Sequence, residues 1–210
     1  MHIVSLEGDS WTTIVGGDRW VGGFSPNADA SVIAFVATTP TDPGDLFLLR
    51  DGVESRVTDL NAEFKDAADL VEPQGFTIDH DGVRIDGWVY LPSGDEKVPL
   101  LYNIHGGPAT QYGYGFSDEF QVYAGAGYGV VATNPRGSSG YGNDHVRAAI
   151  GRWHEEMPPD LRDILAAVDV AAEAFPRLDK DRMGVMGGSY GGWATAFVVA
   201  HDQRFKSAVA

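Results

Sequence analysis

Cysteine is absent from the 210 residues, which rules out disulfides and thiolate metal sites and fits a reducing compartment, so the expected localisation is cytoplasmic. Lysine is scarce. Lys65, Lys97, Lys180 and Lys206 are the only four, and 15 basic residues face 30 acidic ones for a formal net charge of -15. A surface of that sign repels phosphate backbones, so nucleic acid is not an expected partner. The acid excess, mostly aspartate, suits a soluble acidic surface or a salt-adapted one. No apolar run approaches membrane-spanning length, and Met1-His2-Ile3 leads into polar Ser5, Glu7 and Ser10, so neither a membrane span nor a signal peptide is expected. The histidines are scattered and H-E-x-x-H does not occur, so no metal is expected. Gly125-Ala126-Gly127-Tyr128-Gly129 precedes a strand instead of following one, and Val130 stands where a dinucleotide loop needs its third glycine; no cofactor is expected.

Glycine, by contrast, is plentiful, with 27 residues, and two glycine clusters carry chemistry. Gly187-Gly188-Ser189-Tyr190-Gly191 contains G-x-S-x-G between the apolar run Met183 to Met186 and a helix-compatible run, Ala194 to Ala200. Strand, sharp turn and helix make a nucleophile elbow. At the apex Ser189 is held in a strained conformation, and Gly187 and Gly191 must be nearly bare for strand and helix to pass. The Tyr190 N–H, opening the helix, is then placed to bind an oxyanion. The second cluster, His105-Gly106-Gly107-Pro108, follows the apolar strand Pro99 to Ile104, where a hydrolase of this type puts its other oxyanion donor.

With 43% hydrophobic and 21% charged residues the chain has the makeup of a folded globular protein. Up to about residue 70 it reads as short strands: Ile3 to Ser5, Trp11 to Val15, Trp20 to Phe24, Val32 to Ala37, Leu46 to Leu49 and Ser55 to Val57. The turns between them include Thr39 to Gly44 and Asp51-Gly52. Four strands between Trp20 and Asn61 fit one β-propeller blade. One blade cannot bury both its faces, so either other blades precede it or this is another small sheet. Beyond Glu72-Pro73 a hairpin is expected about Asp81-Gly82, then buried strands at Pro99 to Ile104 and Val130 to Ala132. Helices are expected after Ser117 and over Pro159 to Phe175, where Leu161, Ile164, Leu165, Val168, Ala172 and Phe175 form an apolar stripe. Asp163, Asp169 and Glu173 fall among its intervening residues. Alternating strands and helices predict an α/β sheet.

These motifs, with Asn134-Pro135-Arg136-Gly137-Ser138-Ser139-Gly140-Tyr141-Gly142 and Asp81-Gly82 through Gly87-Trp88, resemble the prolyl oligopeptidase family of serine peptidases, in particular its acylaminoacyl-peptidase and dipeptidyl-aminopeptidase-like branch. The resemblance covers about residues 70 to 210. It implies an α/β-hydrolase fold preceded by the last blade of a β-propeller: residues 1–70 end the propeller, and 71–210 begin the catalytic domain. It further implies hydrolysis of short peptides through an acyl-enzyme on Ser189, with the N–H groups of Tyr190 and Gly107 as the oxyanion hole. His105 and Gly106 belong to the oxyanion loop, with His105 read as a positioned strand-end histidine and not the base. Arg136 is read as a brace for its glycine-rich loop, a substrate contact being the alternative.

In this fold the triad runs Ser, Asp or Glu, His. The residues after Ser189 hold one histidine, His201, ahead of one acid, Asp202. On a helix His201 would lie about 18 Å from Ser189, too far to act as base. His2, His80, His145 and His154 precede the elbow and match no family base. The expectation is therefore that acid and base lie beyond Ala210, that the sheet stops in mid-element, and that the 210 residues alone turn over little or no peptide. Two alternatives stay open: a carboxylesterase or lipase of the same fold, and a non-catalytic binding protein on this scaffold. Oligomeric state is not legible.

Overall fold

The computed structural model describes residues 1–8 and 10–210, and contacts divide the chain into two units. The first comprises residues 1–70 and 113–118. β1 (His2–Val4) and β2 (Trp11–Thr13) pair as a short antiparallel ribbon. β3 (Trp20–Pro26), β4 (Val32–Thr39), β5 (Asp42–Arg50) and β6 (Val53–Arg56) form a four-stranded antiparallel meander in chain order. Alternation along β4 sends Ile33, Phe35 and Ala37 inward to pack with Val15 and Leu49, as a half-buried strand requires. The Asp51-Gly52 turn has φ of 50° and 76°, the left-handed pair that a two-residue hairpin favours.

The turn expected over Thr39 to Gly44 is shorter, because β5 already begins at Asp42. The register slips between Ala37 and Thr39, and at such an irregularity Pro43 has no ladder bond to lose. The short helix α1 (Ala62–Ala67) carried no legible signal; its residues are all at least partly exposed. The segment 113–118 joins this unit through Phe116, whose N–H donates to Thr38 Oγ1 at 3.2 Å and whose ring lies edge-on to Phe64.

Asp45 sits within that unit as an acid-labile fastener. Burial pushes its carboxyl up, but the Thr58 hydroxyl, the Leu60 N–H and Arg56 outweigh it and hold the pKa at about 2. A carboxyl depressed in the folded state contributes stability above its unfolded value of about 3.9 and loses it as pH falls through the folded one. Denaturation of the protein between pH 4 and pH 2 should therefore be blunted in Asp45→Asn, and identical acid transitions in both would contradict this.

The second unit holds residues 71–112 and 119–210. β7 (Gln74–His80) and β8 (Val83–Tyr90) make the expected hairpin, with Asp81 and Gly82 at φ 55° and 72°. β9 (Val98–Ile104), helix α2 (Asp118–Gly125), β10 (Gly129–Thr133), α3 (Asn143–Arg147), α4 (Pro159–Ala174), β11 (Leu178–Gly187), α5 (Tyr190–His201) and β12 (Phe205–Val209) follow. The six strands order as β12-β11-β9-β10-β8-β7. β10, β9, β11 and β12 run parallel, and β7 and β8 are antiparallel additions at one side. Val130, Val131 and Ala132 of β10 are wholly buried, as unalternating runs in a sheet covered on both faces should be. The α/β sheet predicted from the alternation is present. Its main core joins Val89, Leu100, Tyr102, Val131 and Val185 of the sheet to Leu161, Ile164 and Val168 of α4 and Ala194 and Val198 of α5.

β11 starts five residues before the apolar run that announced it, since Leu178 and Asp179 pair with Val98 and Pro99 ahead of a bulge that takes up polar Lys180 to Arg182. Among the described residues no helix is long and apolar enough to cross a membrane.

Candidate active site

Parallel pairing brings three strand ends to one edge of the sheet. Gly187 of β11 pairs with Ile104 of β9, and Asn103 of β9 pairs with Ala132 of β10. The loops that leave them, 188–189, 105–112 and 134–142, are thereby neighbours, at the carboxyl edge where open α/β sheets bind ligands.

Ser189 joins β11 to α5 with φ 58° and ψ -121° and is exposed. An L-residue at positive φ and this ψ is strained by about 1–3 kcal/mol and persists only where its surroundings impose it. Here they do: the Gly191 N–H donates to Gly188 O at 2.9 Å and the Trp193 N–H to Ser189 O at 3.1 Å. The flanking glycines are required by close approach. A Cβ on Gly187 would sit 2.5 Å from Ile104 O and 2.7 Å from the Gly191 carbonyl carbon, and one on Gly191 would sit 2.1 Å from Ile104 O. Tyr190 opens α5, so its N–H is among those a helix start leaves without an intrahelical acceptor. With the other free N–H groups of that turn it gives the helix start beside Ser189 a partial positive charge.

Gly106 and Gly107 lie beside this turn. A Cβ on Gly106 would be 3.3 Å from Gly188 O and 3.5 Å from the Ser189 Cβ, and Gly107 has φ 116° with its N-terminal neighbour packed against the elbow. His105 is 5% exposed. Its Nδ1 lies 2.7 Å from Gly106 O and its Nε2 2.9 Å from the Ser138 Oγ, whose hydroxyl donates to Pro135 O at 2.7 Å. Burial pushes its pKa down, so it sits neutral as a strut between two loops. Asn134 ties the same loops with two bonds, accepting from the Tyr112 N–H at 2.8 Å and donating to Tyr112 O at 3.0 Å. A cavity of about 460 Å³ opens here, its wall including Ile104, Gly106, Tyr112, Glu119 and Gly188.

Arg136 does not point out of its loop. It is 7% exposed, and both its N–H and its Nε donate to Oδ2 of Asp163 at 2.9 and 2.8 Å, with a further bond to Oδ1. His80 Nδ1 meets the same carboxylate at 2.7 Å. Asp163, expected among the residues between the apolar stripe, is instead wholly buried. The buried guanidinium of Arg136 supplies its partner. The readable signal was Asp160 and Asp163 three apart, on the same helix face as Ile164 and Ala167. Removing one member of such a pair strands a buried charge, at a cost of about 3–5 kcal/mol, whereas replacing both with apolar residues is often tolerated. Denaturant titration should therefore find Asp163→Ala destabilised by about that amount and Arg136→Met/Asp163→Leu by much less; equal losses would mean the ion pair itself holds the loop.

Among the described residues no hydrogen bond joins a histidine to Ser189. His201 ends α5, where Nδ1 meets Phe197 O at 2.8 Å and the ring stacks on Phe197; His145 meets Pro135 O at 3.0 Å. Nor do the described residues include a group of three or more His, Asp or Glu placed to hold a metal ion.

Residues 114–210 match the model of the prolyl oligopeptidase family. An uncharacterized peptidase of Bacillus subtilis, YuxL, is 38% identical over 196 residues, which are 91% of this chain and 29% of that protein. Dipeptidyl aminopeptidase BIII of Pseudoxanthomonas mexicana is 42% identical over 101 residues, covering 48% of this chain and 14% of that one. The acylaminoacyl peptidase structure from Pyrococcus horikoshii superposes with a TM-score of 0.89 at 31% identity, over 96% of this chain and 32% of its own. The chain thus spans about a third or less of the proteins it matches.

Proposed function

Because the chain belongs to the prolyl oligopeptidase family, we propose that it carries the nucleophile and the oxyanion site of a serine peptidase acting on short peptides, releasing acylaminoacyl or dipeptidyl units. The observation that carries the reading is Ser189 itself, exposed at φ 58° on a turn whose flanking glycines admit no side chain and whose neighbour is Gly106. In this reading residues 71–210 are part of an α/β-hydrolase catalytic domain, and the meander of residues 1–70 is a propeller blade.

The reaction is a two-step acyl transfer. The Ser189 hydroxyl gives its proton to a general base as Oγ bonds to the peptide carbonyl carbon. The carbonyl oxygen becomes an oxyanion held by the N–H groups of Tyr190 and Gly107. The C–N bond breaks as the amine leaves with a proton, and water then cleaves the ester to release the acid and restore Ser189. His105 and Arg136 touch no substrate here: the first sets the pitch of the Gly106-Gly107 loop, the second fastens the loop beside it. The relatives' names supply the substrate classes, and the strained serine supplies the chemistry.

The test is labelling by a fluorophosphonate, which reacts with activated serines, on the protein expressed in full from its own gene. The adduct should map to the peptide containing Ser189, and cleavage of an acyl-peptide anilide against a free dipeptidyl anilide should separate the two modes of release. Labelling at another residue, with Ser189 unmodified, would count against the reading.

A further inference from the structure

The start of α4 reaches the site a second time. Asp160, the second residue of that helix, is wholly buried, and its Oδ2 accepts a hydrogen bond from the hydroxyl of Tyr190. Its other oxygen has no hydrogen-bond partner among the described residues; the backbone N–H groups of Asp160 and Leu161 also favour the charged carboxyl, and the phenol is its side-chain partner. Burial pushes the acid's pKa up and that of the phenol up with it. Tyr190 is 8% exposed, its ring flanked by Trp193 at 5.5 Å and Trp153 at 6.3 Å.

A buried carboxyl with one side-chain partner is expensive to leave unsatisfied, so the bond resists any displacement of Tyr190. Tyr190 is also the first residue of α5, and the amide on that same residue follows Ser189. Holding the ring therefore holds the amide. The N-terminal part of α4 is thus attached at two points: through Asp163 to the loop of Arg136, and through Asp160 to the elbow.

Resting on the serine-peptidase reading above, we propose that Asp160 is a positioning residue for the oxyanion site, acting through the Tyr190 hydroxyl to fix the Tyr190 N–H against Ser189. The donor is useful only at the place the oxyanion will occupy, and a misplacement of about 1 Å costs on the order of a hundredfold in rate. The loss should fall on kcat, since the oxyanion exists only on the way through the reaction.

The test uses the protein expressed in full, with an acyl-peptide anilide as substrate. Tyr190→Phe keeps the ring and removes only the hydroxyl; kcat should fall roughly tenfold or more with KM nearly constant, and the melting temperature should drop as well, because the buried Asp160 carboxyl loses its side-chain partner. Asp160→Ala should match it, and Tyr190→Phe/Asp160→Ala should fall no further, because both remove one link. Asp160→Asn, which still offers an acceptor oxygen, should recover most of the loss. An unchanged kcat in Tyr190→Phe, or single losses that multiply in the double variant, would overturn the proposal. Ser189→Ala in the same assay separates this from the parent reading: turnover that survives it defeats the nucleophile assignment, whereas turnover lost there but intact in Tyr190→Phe defeats only the role of Asp160.

Discussion

Ser189→Ala should lower kcat of the full protein by about a millionfold and abolish fluorophosphonate labelling, while leaving stability within about 0.5 kcal/mol of the parent. The two halves of that expectation come from different features. Chemistry is lost because in the proposed reaction the Oγ atom forms the bond to carbon, and what remains, on the order of a thousandfold to ten-thousandfold over water, is the share of oxyanion donors and binding. Stability is kept because Ser189 is exposed and its side chain caps nothing: α5 begins without a side-chain cap bond. Alanine at φ 58° is strained much as serine is, so the turn loses no more than it already bears. A variant that melts early and loses activity in proportion would instead mark Ser189 as a structural turn residue, and one that keeps its turnover would move the nucleophile elsewhere.

Much of this arrangement was legible because local sequence and tertiary need coincide. G-x-S-x-G between an apolar run and a helix former specifies a turn whatever surrounds it, and Asp-Gly between alternating residues specifies a hairpin. The apolar runs Pro99 to Ile104 and Val130 to Ala132 read as strands covered on both faces, and the stripe from Leu161 onward as a helix against a core. His105 was readable as a strut by its place at a strand end, and the structure adds what it props against, Ser138.

What stayed hidden depends on distant partners. Asp163 and Asp160 share a helix face with Ile164 and Ala167, but as acids their type argues for solvent. They are buried because Arg136 and Tyr190, 27 and 30 residues away, arrive at them, and for Asp160 the first turn of the helix already favours an acid. The early start of β11 was masked by a bulge of charged residues, and that of β5 by proline and glycine that normally signal a turn. In each case a tertiary register decided against the local propensity.

Gly191→Ala tests the steric half of the site apart from its chemistry, and a large loss of activity is expected from one methyl group. Its Cβ would stand 2.1 Å from Ile104 O, 2.9 Å from the Ile104 carbonyl carbon and 3.0 Å from His105 O. All three are backbone atoms of the strand and loop that carry Gly106 and Gly107, so no side chain can rotate aside. Relief requires α5 or the end of β9 to move by about 1 Å. Overpacking of this kind costs about 1–3 kcal/mol, and the same movement separates the Tyr190 amide from the Gly107 loop, for a loss on the order of a hundredfold in kcat. Gly188, one residue before the serine, meets nothing within 4 Å. Gly188→Ala should consequently keep its melting temperature where Gly191→Ala does not, although the two lie three residues apart on one turn. Equal behaviour of the two variants in thermal denaturation and in turnover would show that the crowding against Ile104 does not constrain the elbow, and that its glycines are there for backbone freedom alone.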